Sequence, residues 1–309
     1  MYMNKAIKTY SFFIFLLFLL SMELWIGWNG RKTTMLILFG CGALFIKMAY
    51  KIPFKFSGRN IVLILLFYIA YLYKLNAGFA QVFTQIPSQL IPIMCIVCIA
   101  DEYKEKTLYY ITKWYARLIL LSLLIYVLTL LIPIPSFGNI EFAPEVDYGF
   151  FSNYLFYVKS MMNVAEGGFV RFNGPFLEPG YVGMIGAFLL FANRFDFKKK
   201  ENKIILISVL LSMSLAGWML TLIGYILNLF HIGKISISRL VFSLLFIISF
   251  LYIGQSYNGG DNMINNEILS RLEYDEEKGF SGNNRNSLAI TTLAIEIWRG
   301  NTDVLFFGY

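Results

Sequence analysis

Charged side chains are scarce in this sequence, at 15% of 309 residues against 58% hydrophobic. With a mean hydropathy of +0.62, that balance excludes an ordinary soluble domain. Histidine occurs once. His231 falls in a connection assigned below to the cytoplasm, so it is given no catalytic role on the opposite face. The three cysteines, Cys41, Cys95 and Cys98, all sit inside apolar runs. Cys95-x-x-Cys98 lacks the partner ligands and exposure of a zinc or redox site, and core packing is the expected role, because free cysteine behaves as a small hydrophobe. The chain has no P-loop, no Rossmann glycine fingerprint, no HExxH and no acidic pair that would clearly hold a metal. Neither a metal nor a cofactor is expected, and nucleic acid is not an expected partner.

Long apolar runs are what the chain does have. Ser11 to Trp28 and Trp114 to Ile134 each hold roughly the 20 residues needed to cross about 30 Å of hydrocarbon. Further candidate spans are Thr33 to Tyr50, Asn60 to Tyr73, about Phe83 to Ala100, Tyr181 to Asn193, Ile204 to Phe230 and Leu240 to Tyr257. The first run is too long for a signal h-region, has no small-residue cleavage site and is followed by more spans, so it is read as a retained helix. The expected fold is all-α: one integral membrane domain over 1–309, a polytopic transmembrane helix bundle of about nine helices. Two extracytoplasmic loops, 135–180 and 258–309, carry short interfacial helices.

Orientation follows from the Lys/Arg bias. Lys5 and Lys8; Lys51, Lys55 and Arg59; Lys104, Lys106, Lys113 and Arg117; and Arg194, Lys198, Lys199, Lys200 and Lys203 fall in alternate connections. These are assigned to the cytoplasm, and Arg31 and Lys32 break the pattern in a short outside loop. One crossing over Ile204 to Phe230 would leave Lys234 and Arg239 outside. Two short helices breaking near Ser212, Ser214 and Gly217 keep them inside and are preferred. Glu23 is read as part of the first helix, where an ionisable residue is either functional or snorkels to the interface marked by Trp25 and Trp28.

The loop 135–180 is too long for a simple connector. In FFSNYLFYVKSMM, Phe150, Tyr154, Tyr157 and Met161 recur at helical spacing, so an interfacial helix is expected there, either capping the bundle or gating a substrate. In the second loop the acidic cluster Asp275, Glu276, Glu277 and Lys278 is read as solvated surface. Arg285 opens a helix expected to run through Trp298. A cation at a helix N-terminus opposes the macrodipole and hints at an anionic partner.

RFNGPFLEPG, Arg171 to Gly180, concentrates the chemistry. A polar loop here re-enters an apolar run, with Glu178 and Pro179 at the start of the next helix, where proline is tolerated and a carboxylate meets the positive helix end. Gly174 and Gly180 permit tight turns or close backbone approach.

Three elements resemble the O-antigen polymerase and O-antigen ligase superfamily of bacterial surface-polysaccharide enzymes. They are RFNGPFLEPG with its following helix, the serine-centred LLSMSLAGWMLTLIGYIL (Leu210 to Leu227), and SGNNRN (Ser281 to Asn286). DVLFFGY (Asp303 to Tyr309) is also similar to the start of the family's glycine-tyrosine-glycine segment. Members continue through more loop and at least two more helices, so the resemblance implies a chain truncated at the C-terminus, which inserts in a membrane but does not catalyse.

The resemblance implies a glycosyltransferase that joins sugar units carried on undecaprenyl diphosphate at the outer face of the cytoplasmic membrane, making O-antigen, capsule or exopolysaccharide. Its partners would be that lipid-linked oligosaccharide and membrane lipids, with a chain-length regulator or flippase alongside. A diphosphate leaving group develops negative charge, and arginine's fixed fork suits its oxygens. Arg171 and Arg285 are the candidates. Glu178 is either the base for the acceptor hydroxyl or the partner that fixes Arg171. Asn173, Gly174, Gly180 and Asn284 complete the candidate substrate-binding set. A ligase shares the architecture and differs in acceptor. A transporter also remains open, although no internal repeat supports it.

Overall fold

The computed structural model describes residues 2–74, 88, 90–142, 150–161 and 170–231, with scattered positions between 245 and 280. The chain divides into two compact units, Met1–Asn228 and Leu229–Tyr309. It is mostly helical. In the first unit α1 is Tyr2–Ser21, α2 Arg31–Ala49, α3 Gly58–Lys74, α4 a helical run over 90–97, and α5 Asp101–Leu131. After the first long loop come α6 Pro179–Ala192, α7 Lys200–Leu211 and α8 Leu215–His231, the last ending across the unit boundary. Among the described residues α1, α2 and α5 are long and apolar enough to cross a membrane.

Local chemistry sets the helix ends. α5 starts with Asp101 and Glu102 in its first turn, where carboxylates complement the positive helix end. It stops at Leu131 because Pro133 disfavours helical geometry at Ile132, which is extended. Lys104 and Lys55 both bond the Asp101 carboxylate, at 2.7 and 3.0 Å, and hold its carboxyl down to about 2. They tie the start of α5 to the segment leading into α3. α1 packs on α2 and α5, and α7 packs on α6 and α5.

The first helix ends earlier than its apolar run. α1 stops at Ser21 and a short 3-10 turn covers Trp25–Gly27. Glu23 is therefore not helical. It adopts a left-handed φ of 53° and pairs with Lys32 of α2, so an ion pair across the turn stabilises it and no snorkelling is needed.

The run 204–230 is two helices, the reading preferred above. A Cβ on Gly186 would meet Ile205 and Val209, one on Gly183 would meet Ser214 and Gly217, and one on Gly224 would meet Phe191 and Phe195. α7 thus runs antiparallel to α6, turns at 212–214, and α8 runs back parallel to α6. Asn202 Nδ2 donates to Asp196 O (2.9 Å) and Asn228 Nδ2 to Arg194 O (3.1 Å). The start of α7 and the end of α8 therefore lie together at the Arg194 end of α6. At 12 and 17 residues the two arms are about 18 and 25 Å long.

The interfacial helix expected in the first loop is replaced by strand. β1 Asn139–Glu141, β2 Phe150–Asn153 and β3 Val158–Ser160 form an antiparallel sheet in that order. Phe151 opposes Ile140 and Ser160, while Asn153 opposes Val158. Inward Phe151 and Asn153 alternate with outward Phe150 and Ser152, the period of two that a strand requires. Short aromatic runs satisfy both periods, and the pairing partners decided between them. Trp28, Phe151, Val158 and Leu177 form a small core beneath the sheet.

In the second unit Tyr257–Gly260 is a 3-10 turn, and Tyr274–Asp275 pairs antiparallel with Gly279–Phe280. The helix expected through Trp298 and most of the span Leu240 to Tyr257 lie outside the described residues.

Candidate functional site

The stretch 170–178 is an irregular segment wedged between helices, and its backbone bonds show what fixes it. Trp25 N–H donates to Pro175 O (3.2 Å), Val158 N–H to Gly174 O (3.0 Å), and Leu24 bridges Phe176. Tyr126 OH of α5 donates to Val170 O at 2.8 Å. The α1–α2 turn, β3 and α5 therefore hold the segment from three sides. Residues 172–177 are all buried, as irregular backbone among apolar helices has to be if its polar groups are to find partners.

Arg171 is placed by the end of α7. Its Nε–H donates to Ser212 O (3.2 Å) and its Nη2–H to Met213 O (2.8 Å), while Phe172 N–H donates to Leu211 O (3.1 Å). Three consecutive carbonyls, which the end of a helix leaves without intrahelical partners, are thus met by two consecutive residues of the loop. A guanidinium at this helix C-terminus also complements the negative end of the dipole. Two of the five guanidinium N–H groups serve the turn between α7 and α8.

Glu178 is the N-cap residue of α6. Its backbone is extended (φ −130°, ψ 148°), as the following Pro179 demands. Its carboxylate does not cap the helix. Instead Oε2 lies over the first turn, 3.9 Å from where a Cβ on Gly180 would stand. Arg171 and Glu178 thus stand at opposite ends of one braced segment, each against the helix end of complementary sign.

The other candidates in the loop have internal tasks. Asn173 is 4% exposed, with its Nδ2 donating to Phe176 O (2.9 Å) and its carbonyl accepting from Phe176 N–H (3.2 Å). Gly174 has φ +58°, with Val182, Ile119 and Phe172 around it at 3.5–3.7 Å from a would-be Cβ. Glycine is required there by the left-handed backbone, among apolar neighbours. Arg285 and Asn284 lie outside the described residues.

Three contributors carried little signal in the sequence. Ser122 and Tyr126 are one turn apart on α5, and their hydroxyls reach Phe156 O and Val170 O; two hydroxyls at i, i+4 in an apolar span are the trace they leave. Tyr157 stacks between Tyr154 and Phe172, and its fully buried hydroxyl has no hydrogen-bond partner among the described residues.

Cys95 and Cys98 are buried, and among the described residues no cluster of three His, Cys, Asp or Glu could hold a metal ion. An apolar hollow lined by Ile14, Phe18, Cys95, Ile99, Leu108 and Leu189 shares no residue with the loop. The chain matches no protein-family model, no curated protein and no solved structure.

Proposed function

We propose that this chain is a multi-pass protein of the cytoplasmic membrane that polymerises oligosaccharide units carried on undecaprenyl diphosphate at the outer face. The observation that carries the reading is the braced segment: a cation and a carboxylate seven residues apart, held by backbone bonds to three neighbouring elements. Charges held rigidly before the substrate arrives stabilise developing charge without reorganisation. In the proposed reaction the acceptor hydroxyl attacks the anomeric carbon and the bond from that carbon to the diphosphate oxygen breaks. Arg171 binds the departing diphosphate. Glu178 takes the hydroxyl proton.

The test is incubation of purified protein with lipid-linked oligosaccharide. Longer lipid-linked chains support polymerisation, and transfer to a different acceptor supports a ligase. Glu178→Gln keeps the shape of the side chain but removes the base, so near-normal turnover in that variant eliminates the base role.

A second reading, a transporter of the same lipid-linked substrate, is favoured by one observation. α7 and α8 form a helical hairpin with a buried, non-helical tip at Ser212–Ser214, and interrupted helices are common at transport sites. Movement of the substrate without a new glycosidic bond selects that reading.

Orientation is checked by single cysteines probed with a membrane-impermeant reagent. Positions 139 and 283 should label from outside and position 200 should not. Asn139 suits the probe because it is exposed at the start of β1.

A further inference from the structure

The β2–β3 turn, Tyr154–Tyr157, has a composition and a bonding pattern that water does not call for. Turns in water use Gly, Asn, Asp, Ser and Pro. This one reads Tyr-Leu-Phe-Tyr, and Leu155 holds a φ of 68°, a region that bulky residues rarely occupy. Leu155 and Phe156 are nonetheless exposed, at 47% and 37%.

Their backbone groups are all taken by the protein. Leu155 N–H donates to Asn153 Oδ1 (2.8 Å) and Leu155 O accepts from the Trp25 indole N–H (2.8 Å). Phe156 N–H donates to Tyr154 O (2.9 Å), and Phe156 O accepts from the Ser122 hydroxyl. An exposed turn in water has no need of such provision, because solvent satisfies it. Backbone in hydrocarbon must have it, since each unpaired group there costs several kcal/mol.

Position on α5 points the same way. From Ser122 to Leu131 the helix climbs about 13 Å at 1.5 Å per residue. Over that climb it exposes Leu124, Val127, Leu128, Leu130 and Leu131, and no charged residue occurs between Arg117 and Glu141. The apolar collar of α5 thus continues past the turn. Trp25, which meets the turn, is a residue type of the membrane interface, and the exposed Asn29–Arg31 follow it in the connection that the charge bias assigns to the outside.

We infer that the β2–β3 turn is a re-entrant membrane-contact element, with Leu155 and Phe156 against lipid acyl chains beneath the outer headgroups. It anchors the first loop, and through Ser122, Trp25 and the Val158–Gly174 bond it holds the segment 170–178 at a set depth. This goes beyond the proposed chemistry and rests on α5 being a membrane span and, for the leaflet named, on the Lys/Arg assignment of the first loop to the outside.

The test uses the full chain in liposomes, with Cys41, Cys95 and Cys98 replaced by alanine and a nitroxide at Leu155→Cys or Phe156→Cys. Leu128→Cys is the reference for α5 as a span and Asn139→Cys the reference for water. The ratio of oxygen to water-soluble nickel-chelate accessibility should match that at 128 and exceed that at 139 by roughly tenfold or more, because a polar chelate is excluded from hydrocarbon. Nickel access equal to that at 139 overturns the inference, and so does exclusion of both reagents, which would mean protein covers the turn. A water-exposed position 128 would reject the span itself and the inference with it. The unmodified chain gives an independent check. A diazirine on the acyl chain of a phospholipid should label the peptide carrying Leu155 and Phe156, and absence of label there with label on 124–131 counts against the turn.

Discussion

Replacing Arg171 with alanine should loosen the turn between α7 and α8 before it affects any chemistry. The guanidinium gives two hydrogen bonds to backbone carbonyls, those of Ser212 and Met213. Bonds from a charged donor contribute about 1.5–3 kcal/mol each, so roughly 6 kcal/mol is the ceiling. Arg171 is only half-buried, and water can replace part of what is lost, so a working value is about 3 kcal/mol. On the entropy scale of soluble proteins, a chain of 309 residues would show this as a fall in Tm of about 4–5 °C. Arg171→Lys places one point charge where two bonds diverge, and should forfeit about half as much.

The assay is thermal unfolding of the detergent-solubilised protein, paired with amide hydrogen exchange over 212–217. Exchange should accelerate in Arg171→Ala, because the carbonyls that anchor the α7 terminus lose their donors. A Tm within about 1 °C of wild type, with unchanged exchange at the turn, would refute the clamp. Loss of turnover under those conditions would make Arg171 a pure ligand contact. A fall in both turnover and Tm, with lysine rescuing stability more than turnover, is the expected pattern if the arginine does both.

Three further outcomes are expected. Gly217→Ala puts a methyl 2.8 Å from the Gly183 carbonyl carbon, so α6 and α8 must separate at about 1–3 kcal/mol; an unchanged Tm would show that the crossing is looser than described. Tyr157→Phe removes a buried hydroxyl without a partner and should be neutral or stabilising by about 1 kcal/mol, whereas a clear loss of stability or activity would reveal a bound water or ligand there. Asp101 has its carboxyl lowered from 3.8 to about 2 by Lys104 and Lys55. Its stabilisation is complete above the unfolded value and lost as pH falls through the folded one, so the Tm gap between wild type and Asp101→Asn should hold near neutral pH and close by about pH 2; a gap that persists there sinks the pairing.

The helical hairpin was the most legible tertiary feature. Its two-helix reading came from the placement of Lys234 and Arg239 and from serines in the middle of an overlong apolar run, both countable along the chain. Glu178 at the start of α6 was legible for a similar reason, since proline dictates the backbone of the residue before it. The sheet was not. FFSNYLFYVKSMM satisfies a helical period as well as an alternating one, and Asn139–Glu141, the strand that resolves the ambiguity, lies several residues away across the 143–149 stretch. Glu23 was misplaced because apolar content continues past Ser21 although the helix does not.

Alone, the sequence determined what depends on neighbours along the chain: which runs are apolar enough to be helices, where proline and charge interrupt them, and that Arg171 and Glu178 share one short loop. The tertiary structure decided what those residues touch. Arg171 meets carbonyls 41 and 42 residues away, Ser122 meets Phe156 at a separation of 34, and Trp25 meets Leu155 at 130. These contacts exist because a helix leaves its last carbonyls unpaired wherever it stops, and a buried loop must find partners for its own polar groups. Which groups answer each other is set by how the helices stack, and no spacing within a single segment records that.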